Sequence, residues 1–506
     1  MSPRAVRVGG LALLALAGLP VNGRADAAPR STVVQWAPPP APEASAPVLQ
    51  RSPDGRIWLA WIQPAEGAGL ELRVAELDAG RSGWMPSHRI AAVARFAGGA
   101  AAGPVLSAGA AGHLAAAWAE GTGRGRRIEV SFSGDGGVDW SEPRMTTVRD
   151  RPASAPALTA LADGRYLAAW TEADPAGPGG AAALRTRVLA ERSDEAQPPF
   201  PPSSVSPLSL PALAAFADGG ALAAYLSWDS GSTEILRLSR LRLMTWTEPQ
   251  RLPEGRRTLQ VPAAVGPSLA TDGGRVAVAW VAGQAESSRV LASLSVDAGD
   301  QFLMPQRVDG GSALGRPEVV LLPDTAVLVF WLAAPVSEEP ARLWMRRISP
   351  DFTLDPPTLL ASLPADPAGW PTATLQRDYA GGSESAQVIV AIASPHRHGP
   401  SLRTLQVTVP ESALLAAAND ACHCAPPPAE LVGYPIHGTV AGVDPAAGVV
   451  RVEHSEFPGL LPAGTDTFAV APELAAAVQP GIRFLGRIER REGVWRLFAV
   501  RKLVGG

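Results

Sequence analysis

Pro267-Ser268-Leu269-Ala270-Thr271-Asp272-Gly273-Gly274-Arg275-Val276-Ala277-Val278-Ala279-Trp280 decides the architecture of most of this chain. It reads as a short strand opened by Pro-x-Leu, a Gly/Asp turn, and a second strand of small apolar residues closing on an aromatic. The same phrase recurs at Pro47, Pro104, Pro156, Pro211, Pro317 and Pro371. The turns include Asp54-Gly55, Asp163-Gly164 and Asp218-Gly219, and the aromatic position is Trp61, Trp118, Trp170, Tyr225, Trp280 and Trp331. The last copy lacks the aromatic.

Further along the quoted repeat, Arg289–Ser295 reads as a third strand and Gln306-Arg307-Val308 as an outer fourth. A period of roughly 50–57 residues suits one four-stranded blade per repeat, so the expected fold is an all-β, seven-bladed β-propeller over 28–410. Six blades, with one repeat misread, is the alternative. The seventh repeat offers Thr372–Gln376, Gln387–Ala393 and Arg403–Val409 but no outer strand. Thr32–Trp36 is an apolar strand ahead of the first repeat, and placing it in the last blade would close the ring and remove a free edge.

The 506 residues exceed a single ordinary core, which a large repeat architecture accommodates. Charged residues make up only 18% and the net charge is −4, which argues against a nucleic-acid partner. The 51 glycines and 50 prolines fall at turns between short apolar runs, as an all-β chain needs. Arg4 and Arg7 precede an apolar stretch from Val8 to Leu19, too short to span a bilayer, and Ala25-Asp26-Ala27 offers a cleavage site. Residues 1–27 therefore read as a signal peptide and Ala28 as the mature start. A periplasmic or secreted protein with no membrane span is expected.

Ser133-Gly134-Asp135-Gly136-Gly137-Val138-Asp139-Trp140 and Ser295-Val296-Asp297-Ala298-Gly299-Asp300-Gln301-Phe302 share the pattern Ser-x-Asp-x-Gly-x-x-aromatic at the same place in their repeats. Ser133, Asp135, Ser295 and Asp297 supply acceptors for turn amides, Gly137 and Gly299 a permissive backbone, and Trp140 and Phe302 a plug onto the blade. Ser349-Pro350-Asp351 and Trp246-Thr247-Glu248-Pro249 read as worn copies. The pattern resembles the Asp-box of the sialidase-type (BNR-repeat) propellers, in which the box is a structural turn on the outer face. That resemblance implies a glycosidase whose chemistry needs an arginine cluster, a tyrosine nucleophile with a glutamate partner, and an acidic proton donor. The family's arginine before the first inner-strand proline is replaced by Ala46-Pro47, while Arg316-Pro317 has that local shape in the sixth repeat. Tyr379 is the one propeller tyrosine outside a strand, with Arg377 and Glu384 close by in sequence. These four residues are the catalytic candidates; the bland reading of Tyr379 is a loop residue.

After Pro410 the composition changes. Glu411–Asp420 is Ala-rich, Pro426-Pro427-Pro428 is a stiff spacer, and 411–433 reads as a linker. From 434 onward, five strand-like segments and a short helix near Pro472–Val478 suggest a small OB-like barrel. Ile436-His437-Gly438-Thr439-Val440, then Val450-Arg451-Val452-Glu453-His454 and Phe457-Pro458-Gly459-Leu460-Leu461-Pro462-Ala463, is similar to the small periplasmic copper/silver-binding chaperones of metal-efflux systems. The resemblance implies a metal-binding histidine at His454. At the family's methionine positions stand Leu461, Gly464 and Asp466, so the thioether donors that suit Cu(I) are missing.

Cys422-His423-Cys424 holds both cysteines of the chain. The pair can offer two thiolates to Cu(I) or another soft ion, with His423, His437 or His454 completing the site. Export favours a disulfide instead, although one closed within Cys-x-Cys is strained, and an idle pair is the third reading. The sequence reading is thus an exported, non-enzymatic binding or scaffold protein of the cell envelope, linked to copper handling. Its partners would be a protein or glycan at the propeller face and metal-efflux components. A sialidase-like hydrolase and a protein-interaction propeller with a metal-free barrel are the alternatives.

Overall fold

The computed structural model describes residues 31–410 and 434–504, apart from 42, 68, 79–82, 98–102, 148–150, 174–181, 192–199, 202–204, 206–208, 229–233, 253–265, 284–287, 312, 335–339, 350–352, 364–366, 378–384, 395–401, 455–463 and 492–493. The expected signal region, the linker with Cys422, His423 and Cys424, and the candidates Tyr379 and Glu384 lie outside the described residues.

Residues 32–410 form antiparallel sheets that follow the repeats. Sheet one holds Ser45–Arg51, Ile57–Pro64, Leu70–Asp78 and His88–Val93, and sheet two Val105–Ala108, Leu114–Glu120, Arg127–Ser133 and Arg144–Met145. Sheet three has Ala153–Ala160, Tyr166–Ala173 and Ala182–Leu189, with Val205 bridging Ala182 and Ser227 of the next sheet. Sheet four contains Ala212–Ala215, Ala221–Trp228, Glu234–Arg242 and two short outer strands. Sheet five has Ser268–Asp272, Arg275–Ala282, Arg289–Ser295 and Gln306–Arg307, and sheet six Ala313–Leu321, Val327–Ala333, Arg342–Ile348 and Thr358–Ser362. Sheet seven has Thr372–Arg377, Ser385–Ala393, Leu402–Pro410 and, as its outermost strand, Thr32–Trp36 in register from Thr32 opposite Thr408 to Trp36 opposite Thr404.

The first strands of successive sheets touch in cyclic order, and the strand of sheet seven returns to that of sheet one. The ring is therefore closed, and its last sheet is completed by the N-terminal strand. The core lies between sheets rather than within one mass. One apolar cluster joins sheets one and two around Trp58 and Trp118, and another joins six and seven around Phe330 and Val388. A third, with Trp61 and Ile389, joins seven back to one. The second strands are buried on both faces, which explains their unbroken apolar runs such as Ile57-Trp58-Leu59-Ala60-Trp61-Ile62. Third strands alternate, as Ala182–Leu189 does, because only one face is fully covered. The repeated aromatics are core: Trp61 and Tyr225 are fully buried and Trp331 nearly so.

The repeat prolines shape the inner strands. Proline has no N–H for the ladder, and the pairing slips where Pro47, Pro156 and Pro317 fall, between Ser45 and Val48, Ser154 and Ala157, and Leu314 and Glu318. Both Asp-boxes sit where each third strand ends, against the turn joining the first and second strands. Gly136 N–H donates to Gly112 and Ala298 N–H to Gly274. At one worn copy Ser349 Oγ donates to Asp355, and Asp351 is outside the described residues. The other is a turn through Leu243 and Met244 leading into the short strand Thr245–Trp246.

In the C-terminal part, Tyr434–Asp444, Val449–His454, Gly464–Ala469, Arg483–Arg491 and Val494–Val504 pair in a closed circuit. Ile436, Val450, Phe468, Phe484 and Ile488 fill its interior, and a helix spans Pro472–Ala477. This unit docks on the second Asp-box. Phe302–Leu303 pairs antiparallel with Leu503–Val504, and Arg483 meets Asp297 at 2.9 Å.

Candidate functional site

The inner strands converge on a cavity of about 170 Å³ at the ring axis. Pro47, Pro104, Pro156, Pro211 and Pro371 stand around it, so the Pro-x-Leu phrase that marks each repeat also lines the site. Antiparallel topology puts the ends of the second strands at this same end and the Asp-boxes at the other. Most of the lining residues have apolar side chains. Polar side chains come from Gln50, Ser268, Arg316, Glu318 and Thr372.

Sheet six brings the charge. Gly315 takes a positive φ of 64° within the slip around Pro317, a conformation glycine adopts without cost, and its Cα abuts the Trp370 ring, another wall of the cavity. Arg316 and Glu318 follow on either side of the proline. Both side chains are partly buried and line the cavity. Burial pushes the Glu318 carboxyl up to about 7, against the pull of the Arg316 guanidinium and the Ser268 hydroxyl towards the ionised form. Burial likewise lowers the Arg316 guanidinium, with Glu318 opposing. Arg316 Nε is shut off from water and has no hydrogen-bond partner, and the indole N–H of Trp370 is in the same condition. A buried donor without an acceptor is costly. Nearby hydroxyls are engaged: Thr372 Oγ1 accepts from Leu49 N–H and Ser268 Oγ from Val319 N–H.

Of the catalytic candidates, the structure brings only Arg316 to the cavity. Arg377 ends its strand at the far end of sheet seven, and Tyr379 and Glu384 are not described, so the expected grouping is not assembled among the described residues. Glu318 was missed by the sequence reading. The signal was present. The residues flanking the other repeat prolines are uncharged (Ala46/Val48, Gly103/Val105, Ala155/Ala157, Leu210/Ala212, Gly266/Ser268, Trp370/Thr372), and only the sixth repeat has Arg and Glu there.

Of the metal candidates, only His437 and His454 lie among the described residues. His454 is buried, and its Nε2 lies 2.9 Å from Asp466 Oδ2. Asp466 stands where the resemblance implied a methionine, and it holds the histidine by a hydrogen bond across paired strands. His437 sits in Tyr434–Asp444, opposite Leu485. Among the described residues, no three His, Cys, Asp or Glu side chains are grouped to hold a metal ion. None of the described helices is long and apolar enough to cross a membrane.

Both Asp-boxes are satisfied structural turns. Ser133 Oγ donates to Asp135 at 2.8 Å and accepts from Gly137 N–H; Asp135 accepts from the amides of Val138 and Asp139. Ser295, Asp297, Gly299 and Gln301 repeat the arrangement. Trp140 donates its indole N–H to Gly137, and Phe302 is buried.

No family model matches the chain, and no curated protein matches it. Solved structures do. The BP39L lectin from Burkholderia pseudomallei aligns with a TM-score of 0.50 at 12% identity, over 72% of this chain and 96% of the lectin. The fold is a β-propeller. Weaker similarity extends to the Penicillium chrysogenum alpha-L-arabinanase (TM-score 0.37, 14% identity, 75% of this chain and 99% of that one). It extends also to the intramolecular trans-sialidase from Ruminococcus gnavus (TM-score 0.40, 9% identity, 57% and 90%).

Proposed function

We propose that this chain is an exported, seven-bladed propeller that binds a glycan or a related small polar ligand in its axial cavity, with an OB-like C-terminal barrel docked on the fifth blade. The carrying observation is that Arg316 and Glu318 are the charged side chains on the wall of the axial cavity among the described residues. Sites with few polar groups set in an apolar wall are how small ligands are oriented. A lectin sharing the fold makes a sugar the first ligand class to try. The test is a glycan array with the full chain, repeated with Arg316→Gln. Binding that disappears in the variant, with an unchanged melting temperature, supports the reading; binding that persists places the ligand elsewhere.

A hydrolase is the second reading, favoured by one feature. A glutamic acid held up to about 7 is suited to donate a proton to a leaving group. Glu318 is the one carboxyl group on the cavity wall among the described residues, whereas glycoside hydrolysis needs a second carboxylate or a tyrosine. The binding reading needs only Arg316 and Glu318, both on the described wall, whereas turnover also needs a group such as Tyr379, which lies outside the described residues. Turnover of a fluorogenic sialoside or arabinoside, lost in Glu318→Gln, would reverse that order. The copper proposal now rests on Cys422-His423-Cys424, since His454 is engaged by Asp466. Cu(I) titration of a Cys422→Ser/Cys424→Ser variant against wild type tests it, and equal affinity would end it.

A further inference from the structure

We infer that the outer face of the last hairpin of the C-terminal unit, Arg483–Arg491 with Val494–Val504, is a second binding surface, and that its ligand is an acidic polysaccharide, a linear sugar chain bearing carboxylate or sulfate groups. This surface is separate from the axial cavity and does not depend on the reading of that cavity.

The sequence supplies the charge. Residues 483–504 contain seven basic residues against two acidic ones, in a chain that has 44 basic against 48 acidic. The ladder then sorts them. Ile488 stands opposite Leu497; both are buried and share the inner face with Phe484. Strand alternation puts their neighbours on the outer face. There Arg487 stands opposite Phe498, Glu489 opposite Arg496, and Arg491 opposite Val494. Three arginines thus share these rows with one glutamate, and Arg501 follows beyond a bulge, opposite Leu485. Phe498 and Val494 are exposed, at 37% and 53%, and Arg496 is exposed as well. The hairpin meets the propeller at its open end, where Arg483 contacts Asp297 and Leu503–Val504 pairs with Phe302–Leu303. The three rows lie towards its turn.

The layout selects the ligand. Arg487 and Arg491 are four residues apart on one strand, about 13 Å, and Arg496 stands between their rows on the other. An array of that length suits a run of anionic groups rather than one small ion. Guanidinium groups match oxyanions in a fixed fork. An exposed aromatic ring among them offers an apolar platform on which a flat sugar face can rest. Two other polyanions fit less well. Residues 434–504 hold eight basic and seven acidic residues, far from the strongly basic balance of a nucleic-acid module. A membrane surface calls for an amphipathic helix or a polybasic cluster, whereas this face is a sheet with a glutamate among its arginines.

The experiment is biolayer interferometry of the full chain on immobilised polysaccharide. The probes are polygalacturonate and heparin, with neutral galactan, an oligothymidylate and phosphatidylglycerol vesicles as comparisons. The expected result is binding to an acidic glycan and not to galactan, weakening roughly tenfold between about 50 and about 300 mM salt. Arg487→Gln/Arg491→Gln/Arg496→Gln should lose about tenfold or more, and the corresponding triple lysine variant should keep a weaker binding with the same salt dependence. Phe498→Ser should weaken binding about threefold with the salt dependence unchanged, and it carries the test alone if the triple glutamine variant does not fold. Arg451→Gln, at an exposed arginine of Val449–His454, should bind as wild type does. No binding of either acidic glycan, wild-type binding by both the triple glutamine variant and Phe498→Ser, or tighter binding of the oligothymidylate or the vesicles overturns the inference. Acidic-glycan binding lost in Arg316→Gln but kept in the triple glutamine variant also overturns it, and leaves the cavity reading intact. The reverse pattern upholds it.

Discussion

The two ends of the ring treat a carboxyl group in opposite ways. At the Asp-box end, burial acts to raise Asp135, but the Asp139 amide, the Ser133 hydroxyl and the Val138 amide outweigh it and hold the carboxyl below its usual range. At the cavity end, Glu318 has one cation and one hydroxyl beside it, burial wins, and the carboxyl rises to about 7. A turn that satisfies its carboxylate is a finished structural element. A cavity that leaves an arginine donor unpaired and a glutamic acid near neutrality is prepared for something else. The same repeat unit builds both ends, so the difference comes from the few residues that depart from the repeat.

The largest effect should come from Gly315→Ala. A Cβ there would lie 2.0 Å from the Trp370 ring on a backbone with φ of 64°. Chemical denaturation should show a loss on the order of 3–4 kcal/mol, through overpacking and backbone strain together. A loss below about 1 kcal/mol would mean that Trp370 turns aside, and that the cavity wall is softer than described.

Glu318→Gln comes next, and its effect depends on pH. The folded carboxyl lies above its unfolded value, so its contribution to stability is fully present below about pH 4.5 and declines as pH rises to about 7. Wild type should therefore lose roughly 3 kcal/mol across that window relative to the variant, an upper figure for a group that still touches the cavity. Parallel stability curves for the two proteins would show that Glu318 titrates normally.

The Asp-box end should respond less, and unequally. Asp297→Ala removes both a turn acceptor and the Arg483 contact that helps hold the C-terminal unit. It should cost about 2 kcal/mol and increase proteolysis after Arg483. Asp135→Ala removes the exposed bonds from the Val138 and Asp139 amides and the part-buried one from Ser133 but no contact to the C-terminal unit, and should cost about 1 kcal/mol, with ligand binding intact. Equal costs would mean that the C-terminal unit does not depend on the second box.

What the sequence made legible follows from repetition. Pro-x-Leu, the Gly/Asp turn and the buried aromatic occur often enough that period alone announces a propeller, and the Ser–Asp chemistry of the boxes is local. The stray strand Thr32–Trp36 could be placed because a ring abhors a free edge. The site was harder because it is a departure from the repeat. Arg316 was noticed through a resemblance, and Glu318 was passed over. Nothing in one strand's sequence reveals that the strand starts meet at an axis and set that carboxyl on a shared cavity wall. His454 shows the same dependence on a distant residue. Its position matched a metal ligand's, but its cross-strand partner Asp466, twelve residues away in sequence, determines what the ring nitrogen does.

The most direct measurement is the titration of Glu318 itself, by carboxyl-carbon NMR of selectively labelled protein, with Glu318→Gln to assign the signal and Arg316→Gln as the second protein. A desolvated charge pair at the ring axis requires a midpoint near 7 in wild type, rising further when Arg316 is replaced because the cation favouring ionisation is gone. A wild-type midpoint near 4.5, unmoved by Arg316→Gln, would contradict it: the cavity would be flooded, and the pair would be an ordinary solvated one.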